Sequence, residues 1–79
     1  MTLFFPPEKH SVTLQGHRTS VTLEAPFWEA LQRLANAEGM SLNAFVAQID
    51  AERAAAAPTI PLSSVLRVRL LQEVRRGRC

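Results

Sequence analysis

Residues 11–23 constrain this chain more than any other stretch, because they hold the same four residues twice. Ser11-Val12-Thr13-Leu14 recurs as Ser20-Val21-Thr22-Leu23. Each copy alternates polar with apolar and uses β-branched Val and Thr, the pattern of a strand with one buried face. Between the copies, Gln15-Gly16-His17 offers a turn, since glycine takes positive φ without a side-chain clash. The pair predicts a β-hairpin. In the second copy Thr19, Val21 and Leu23 share one face, and Arg18, Ser20 and Thr22 share the other.

The rest of the chain reads as helix. A first helix is expected from Glu24 or Ala25, with Pro26 tolerated in its first turn, where its missing N–H would be unpaired anyway. Trp28, Leu31, Leu34 and Ala35 form its apolar stripe with Phe27 at the margin, and Gly39 after Glu38 closes it. A second helix opens at Ser41, a good N-cap. It carries Leu42, Phe45, Val46 and Ile49 at 3-4 spacing and runs through Ala57 until Pro58 and Pro61 stop it. A third helix spans Leu62 or Ser63 to Arg76, with Leu66, Leu70 and Val74 on one face and Val65, Val68 and Leu71 broadening it. At the other end, Leu3, Phe4 and Phe5 run into Pro6 and Pro7, which exclude a helix and favour an extended arm. The expected organisation is an arm over 1–9, a core over 10–57, and a linker with a C-terminal helix over 58–79.

A chain of 79 residues is one domain near the lower limit of independent stability. Its lone cysteine, Cys79, allows no intrachain disulfide and reads as a free thiol. With His10 and His17 it makes a poor zinc set, so neither a metal nor a cofactor is expected. Oligomerisation is the remaining route to stability, and a homodimer, with room for higher order, is the expectation. No apolar run approaches membrane-spanning length, and Met1 to Lys9 lacks the pattern of a signal peptide. The expected location is cytoplasmic. Paired carboxylates, an activated nucleophile and a glycine-rich phosphate loop are all missing, which argues against an enzyme.

The net charge of +2 is unevenly spread. Glu24, Glu29, Glu38, Asp50 and Glu52 outweigh Arg33 and Arg53 in the middle. Arg67, Arg69, Arg75, Arg76 and Arg78 face only Glu73 after it. Basic ends suit an anionic partner, and equally suit subunits that attract one another.

From Arg18 to Ile49, a polar-outward strand leads directly into a helix, a glycine turn, and Ser41-Leu42-Asn43 opening a second helix. This resembles the ribbon-helix-helix family of bacterial repressors, the Arc and MetJ class. Gly16-His17-Arg18-Thr19-Ser20 followed by Phe27-Trp28 also looks like a subgroup of short bacterial proteins in that family. The resemblance implies an α+β, mostly α fold: an intertwined homodimer with an extra N-terminal strand and a third C-terminal helix. It implies a dimer core of Val21, Leu23, Trp28, Leu31, Leu34, Leu42, Phe45, Val46 and Ile49. It also implies binding to double-stranded DNA and transcriptional regulation. Arg18, Ser20 and Thr22 would contact bases in the major groove. Ser41, Leu42 and Asn43 would hold a phosphate at the start of the second helix. Lys9, Arg67 and Arg69 are accessory basic candidates.

Two features exceed the simplest family pattern. If both strands pair within one chain, a dimer carries four strands spanning roughly 14 Å, against a major groove about 12 Å wide. Either the first strand then folds away on DNA, or the usual docking mode is lost. The third helix is apolar enough to complete the dimer core, with Ala54 to Ala57 and the prolines as a joint for reaching across, or to bind another protein. The alternative function is therefore a protein-interaction module, antitoxin-like or an adaptor dimer, without groove readout.

Overall fold

A computed structural model describes residues 3–77 as two strands followed by three helices. These are β1 (Pro7–Leu14), β2 (His17–Glu24), α1 (Ala25–Ala37), α2 (Leu42–Ala56) and α3 (Leu62–Arg75). The two strands form one antiparallel sheet in which Leu14 faces His17, Ser11 faces Ser20 and Pro7 faces Glu24. Only Gln15 and Gly16 lie between them, at φ 52° and 81°. Positive φ at both positions is the two-residue turn whose twist matches that of the flanking strands. The hairpin is as expected, but β1 begins at Pro7, so the arm is shorter than 1–9. Proline fits there because the first strand position has no ladder bond to lose.

The alternation in both strands separates the faces. Val12, Leu14, Val21 and Leu23 are buried on one side, against the helices. His10, opposite Val21, lies on that same inner face and stacks on Trp28 at 3.8 Å with the rings nearly parallel. His10 thus sits within the hairpin, and Trp28, placed by the resemblance in the dimer core, is partly buried against the core of the single chain.

α1 leaves β2 without a connecting loop. It buries Leu31, Leu34 and Ala35 and ends in a left-handed turn at Gly39 (φ 68°). There Met40 N–H reaches the Ala35 carbonyl at 2.9 Å and Gly39 N–H reaches Asn36 at 3.0 Å, which satisfies the last carbonyls of the helix. α2 buries Phe45, Val46 and Ile49.

Arg53 closes α2. It holds Asp50 through two nitrogens and donates to the Pro58 and Ile60 carbonyls, both at 3.1 Å. The joint expected to let the third helix reach a neighbour is thus pinned, and α3 folds back on its own α1 and α2. Leu66 and Leu70 complete one core with Val46, Leu31 and Leu34.

The buried stripe of α3 differs from expectation. Leu66 and Leu70 are inside, but Val74 is half exposed and Glu73 is fully buried. At about 100° per residue, position 73 falls roughly 20° from Leu66 around the axis, whereas position 74 falls about 80° away. Geometry places the carboxylate in the core-facing row, and Arg69 and Arg76 meet it there at 3.2 and 3.3 Å.

Candidate nucleic-acid interface

The outward face of the hairpin collects six polar side chains. Arg18, Ser20 and Thr22 come from β2, and Thr13, Ser11 and Lys9 stand opposite them on β1. All six are exposed. The expected base-contacting residues therefore share one face with Lys9, and that face points away from the core. Arg18 lies across it, donating from Nη2 to Ser11 Oγ at 3.3 Å. Ser11 and Thr13 were not among the expected site residues. Their signal was the tetrapeptide echo itself, because a two-residue turn at Gln15-Gly16 puts them opposite Ser20 and Arg18.

Thr13 joins this face to α2. Its backbone N–H donates to Asn43 Oδ1 at 3.4 Å. The first turn of α2 is thus held against the outer edge of β1, next to the residue that pairs with Arg18. Ser41 Oγ accepts Ala44 N–H at 3.1 Å and caps the helix. Leu42 and Asn43 then contribute backbone N–H groups that no intrahelical carbonyl can reach. Together with the helix dipole they form a positive end at the rim of the outward face. The Asn43 and Ser41 side chains have structural duties in this arrangement, while the Leu42 and Asn43 N–H groups have no intrahelical acceptor.

The same bond reveals which backbone groups face outward. Thr13 N–H points away from β2, so Thr13 and Arg18 are a pair without ladder bonds, and every second pair repeats this. Arg18, Ser20 and Thr22 therefore direct their N–H and C=O groups along the far edge of β2. Among the described residues no strand occupies that edge. At its end the Thr22 carbonyl accepts from Arg67 Nη2 at 3.5 Å.

Arg67 and Arg69 are not on the outward face. Arg67 is paired with Glu24 at 2.9 Å and sits over the Phe27 ring at 5.5 Å. Arg69 is paired with buried Glu73 and sits over Phe45 at 5.6 Å. Their guanidinium groups brace the packing of α3, which the count of basic residues in the sequence could not reveal. The expected dimer-core residues Val21, Leu23, Leu31, Leu34, Phe45, Val46 and Ile49 are buried within a single chain, and Trp28 and Leu42 are partly buried there.

Among the described residues no three His, Cys, Asp or Glu side chains converge on a common point. No helix is long and apolar enough to cross a membrane. Cys79, read from the sequence as a free thiol, and Arg78 lie outside the described residues.

Comparison with known proteins agrees with this arrangement. The model of a ribbon-helix-helix domain matches residues 7–74, which covers the hairpin and all but the last residue of α3. No curated protein and no solved structure matches the chain. A polar-faced strand running straight into the first of two capped helices, within a match that spans most of the sequence, places the chain in the ribbon-helix-helix family.

Proposed function

We propose that the chain is a homodimeric DNA-binding regulator, a repressor of a bacterial cytoplasm, that presents the outward face of β2 to the major groove. The observation that carries this reading is the Thr13–Arg18 pair. Arg18 stands opposite Thr13, whose N–H bonds Asn43 at the start of α2, which supports a base-reading donor and a phosphate-holding helix end acting from one face. Arg18 has the donor fork that suits guanine O6 and N7, while Ser20 and Thr22 make smaller contacts. Leu42 and Asn43 N–H groups, with Ser41 keeping the turn in shape, hold a phosphate and set orientation. Lys9 adds a second cation opposite Thr22. The dimer forms by antiparallel pairing of the open β2 edges about a two-fold axis, which accounts for the exposed N–H and C=O groups there.

The test is selection from a random DNA pool by the purified protein across a salt series. Enrichment of a short two-fold site, with affinity falling steeply as salt rises, supports groove readout. Arg18→Ala should cost about 1–3 kcal/mol and relax the base preference at one position. An unchanged affinity and preference in that variant refutes readout by this strand.

One observation favours a second reading. β1 lies alongside β2, so a dimer paired through β2 has four strands across roughly 14 Å, wider than the ~12 Å groove that admits a two-stranded ribbon. In this reading the dimer is an interaction module that binds a protein through α3. It requires no enrichment of any DNA at low salt.

A further inference from the structure

We propose that the groove between α1 and α3 is the second half of the dimer interface, filled by the α3 ridge of a second copy of this chain. The inference rests on the dimeric reading above and supplies area which that reading lacks. The groove has a volume of about 400 Å3, with Pro26, Phe27 and Ala30 on its α1 wall and Leu70, Leu71 and Val74 on its α3 wall. Val68, Leu71 and Val74 stand up from α3 as a ridge, 55%, 57% and 51% exposed. They follow at i, i+3 and i+6, about 160°, 140° and 80° around the axis from buried Leu66. Large apolar side chains gathered in one exposed row mark an interaction site rather than ordinary surface.

Three features select a second copy as the cover. Groove and ridge belong to the same helix, so one two-fold rotation sets each ridge into the other chain's groove and closes the contact. The groove is also continuous with the open edge of β2. Arg67 lines it and reaches both the Thr22 carbonyl, at 3.5 Å, and Glu24, at 2.9 Å, where that edge ends. Because its charge is already matched by Glu24, covering the groove strands no lone cation.

The third feature is area. An eight-residue strand presents an edge roughly 27 Å long and about 10 Å thick, on the order of 270 Å2. A stable interface takes about 800 Å2 from each partner. Strand pairing alone falls well short, and the apolar surface beside it supplies the missing contact.

Sedimentation of the full chain over a dilution series tests this with two variants. Leu71→Glu puts a charge on the ridge at a position exposed in the single chain, so helical circular dichroism should be unchanged. Its dimer dissociation constant should rise roughly 30-fold or more, the scale of an interface hot spot. Ser20→Pro removes an N–H from the β2 edge and leaves the groove intact. Dimer lost in both variants supports both contacts. Dimer lost in Leu71→Glu alone supports the groove and refutes strand pairing. Dimer kept in Leu71→Glu overturns the groove contact, leaving that surface to another protein or an apolar ligand, while Ser20→Pro still reports on the strand. A wild-type chain that stays monomeric throughout overturns both. If Leu71→Glu loses helical signal, Leu71→Cys in a Cys79→Ser background replaces it. Oxidation should then link two chains covalently, and absence of that product at concentrations where the parent is dimeric overturns the proposal.

Discussion

Arg67 of α3 and Glu24, the last residue of β2, form an ion pair at 2.9 Å across 43 residues of sequence. The contact fastens the C-terminal helix to the point where the sheet becomes α1. The Arg67 hydrogen bond holds the Glu24 carboxyl below its ordinary value of 4.5, aided by a backbone N–H and the arginine's charge against the opposing effect of burial.

This pair predicts a pH dependence of stability. Because the folded value lies below the unfolded one, the contribution is present in full above the ordinary 4.5 and fades as pH falls through the lower folded value. Urea denaturation of the wild type and Glu24→Gln should therefore show a wild-type advantage at pH 7 that shrinks by pH 3. A gap of equal size at both pH values would show that the carboxylate charge is not its source.

Glu73 should matter more than its place among exposed arginines suggests. It is fully buried and accepts from Arg69 and Arg76. Glu73→Gln keeps the shape and removes the charge, and should cost about 1–3 kcal/mol in thermal or chemical unfolding. The same change at exposed Glu52 should fall within about 0.5 kcal/mol of the parent.

Gly16→Ala should destabilise the hairpin by roughly 1–2 kcal/mol. A Cβ at Gly16 would meet nothing within 4 Å, so the cost comes from the backbone at φ 81° and not from a clash. Gly16→Asn, which tolerates this conformation better, should recover much of the loss. Equal melting temperatures for the alanine and glycine forms would contradict the turn geometry.

Ser41→Ala removes the acceptor for Ala44 N–H. The expected loss is about 1 kcal/mol of unfolding free energy. Ser41→Asp should preserve the cap, yet weaken DNA binding if the start of α2 faces a phosphate. Retained affinity in the aspartate form would place the phosphate elsewhere.

Much of this architecture was legible because local chemistry and tertiary packing agree on it. The echo of Ser-Val-Thr-Leu around Gly16 sets strand period and turn together, and no other local arrangement satisfies both. Gly39 and Ser41 punctuate the helices through their own backbone and side-chain bonds, which need no distant partner. The outward set Arg18, Ser20 and Thr22 follows from strict alternation once Val21 and Leu23 face inward.

What stayed hidden depends on residues far apart in the chain. Nothing local to His10 announces its stacking on Trp28, which α1 brings over it. Arg67 and Arg69 read as free cations until α3 docks and meets Glu24, Phe27 and Phe45. Leu66, Leu70 and Val74 read as one face because a step of four drifts by about 40° each time, and two steps carry Val74 out to the surface. Glu73 enters the interior in its place. Hydrophobic period, turn residues and caps are properties of neighbouring positions, so the sequence determines strands, helices and their order. Which side chains are withdrawn from water, and which charges meet, depends on the angle at which α3 packs across α1 and α2. That angle is a balance of contacts among all three helices, and it is written in no single segment.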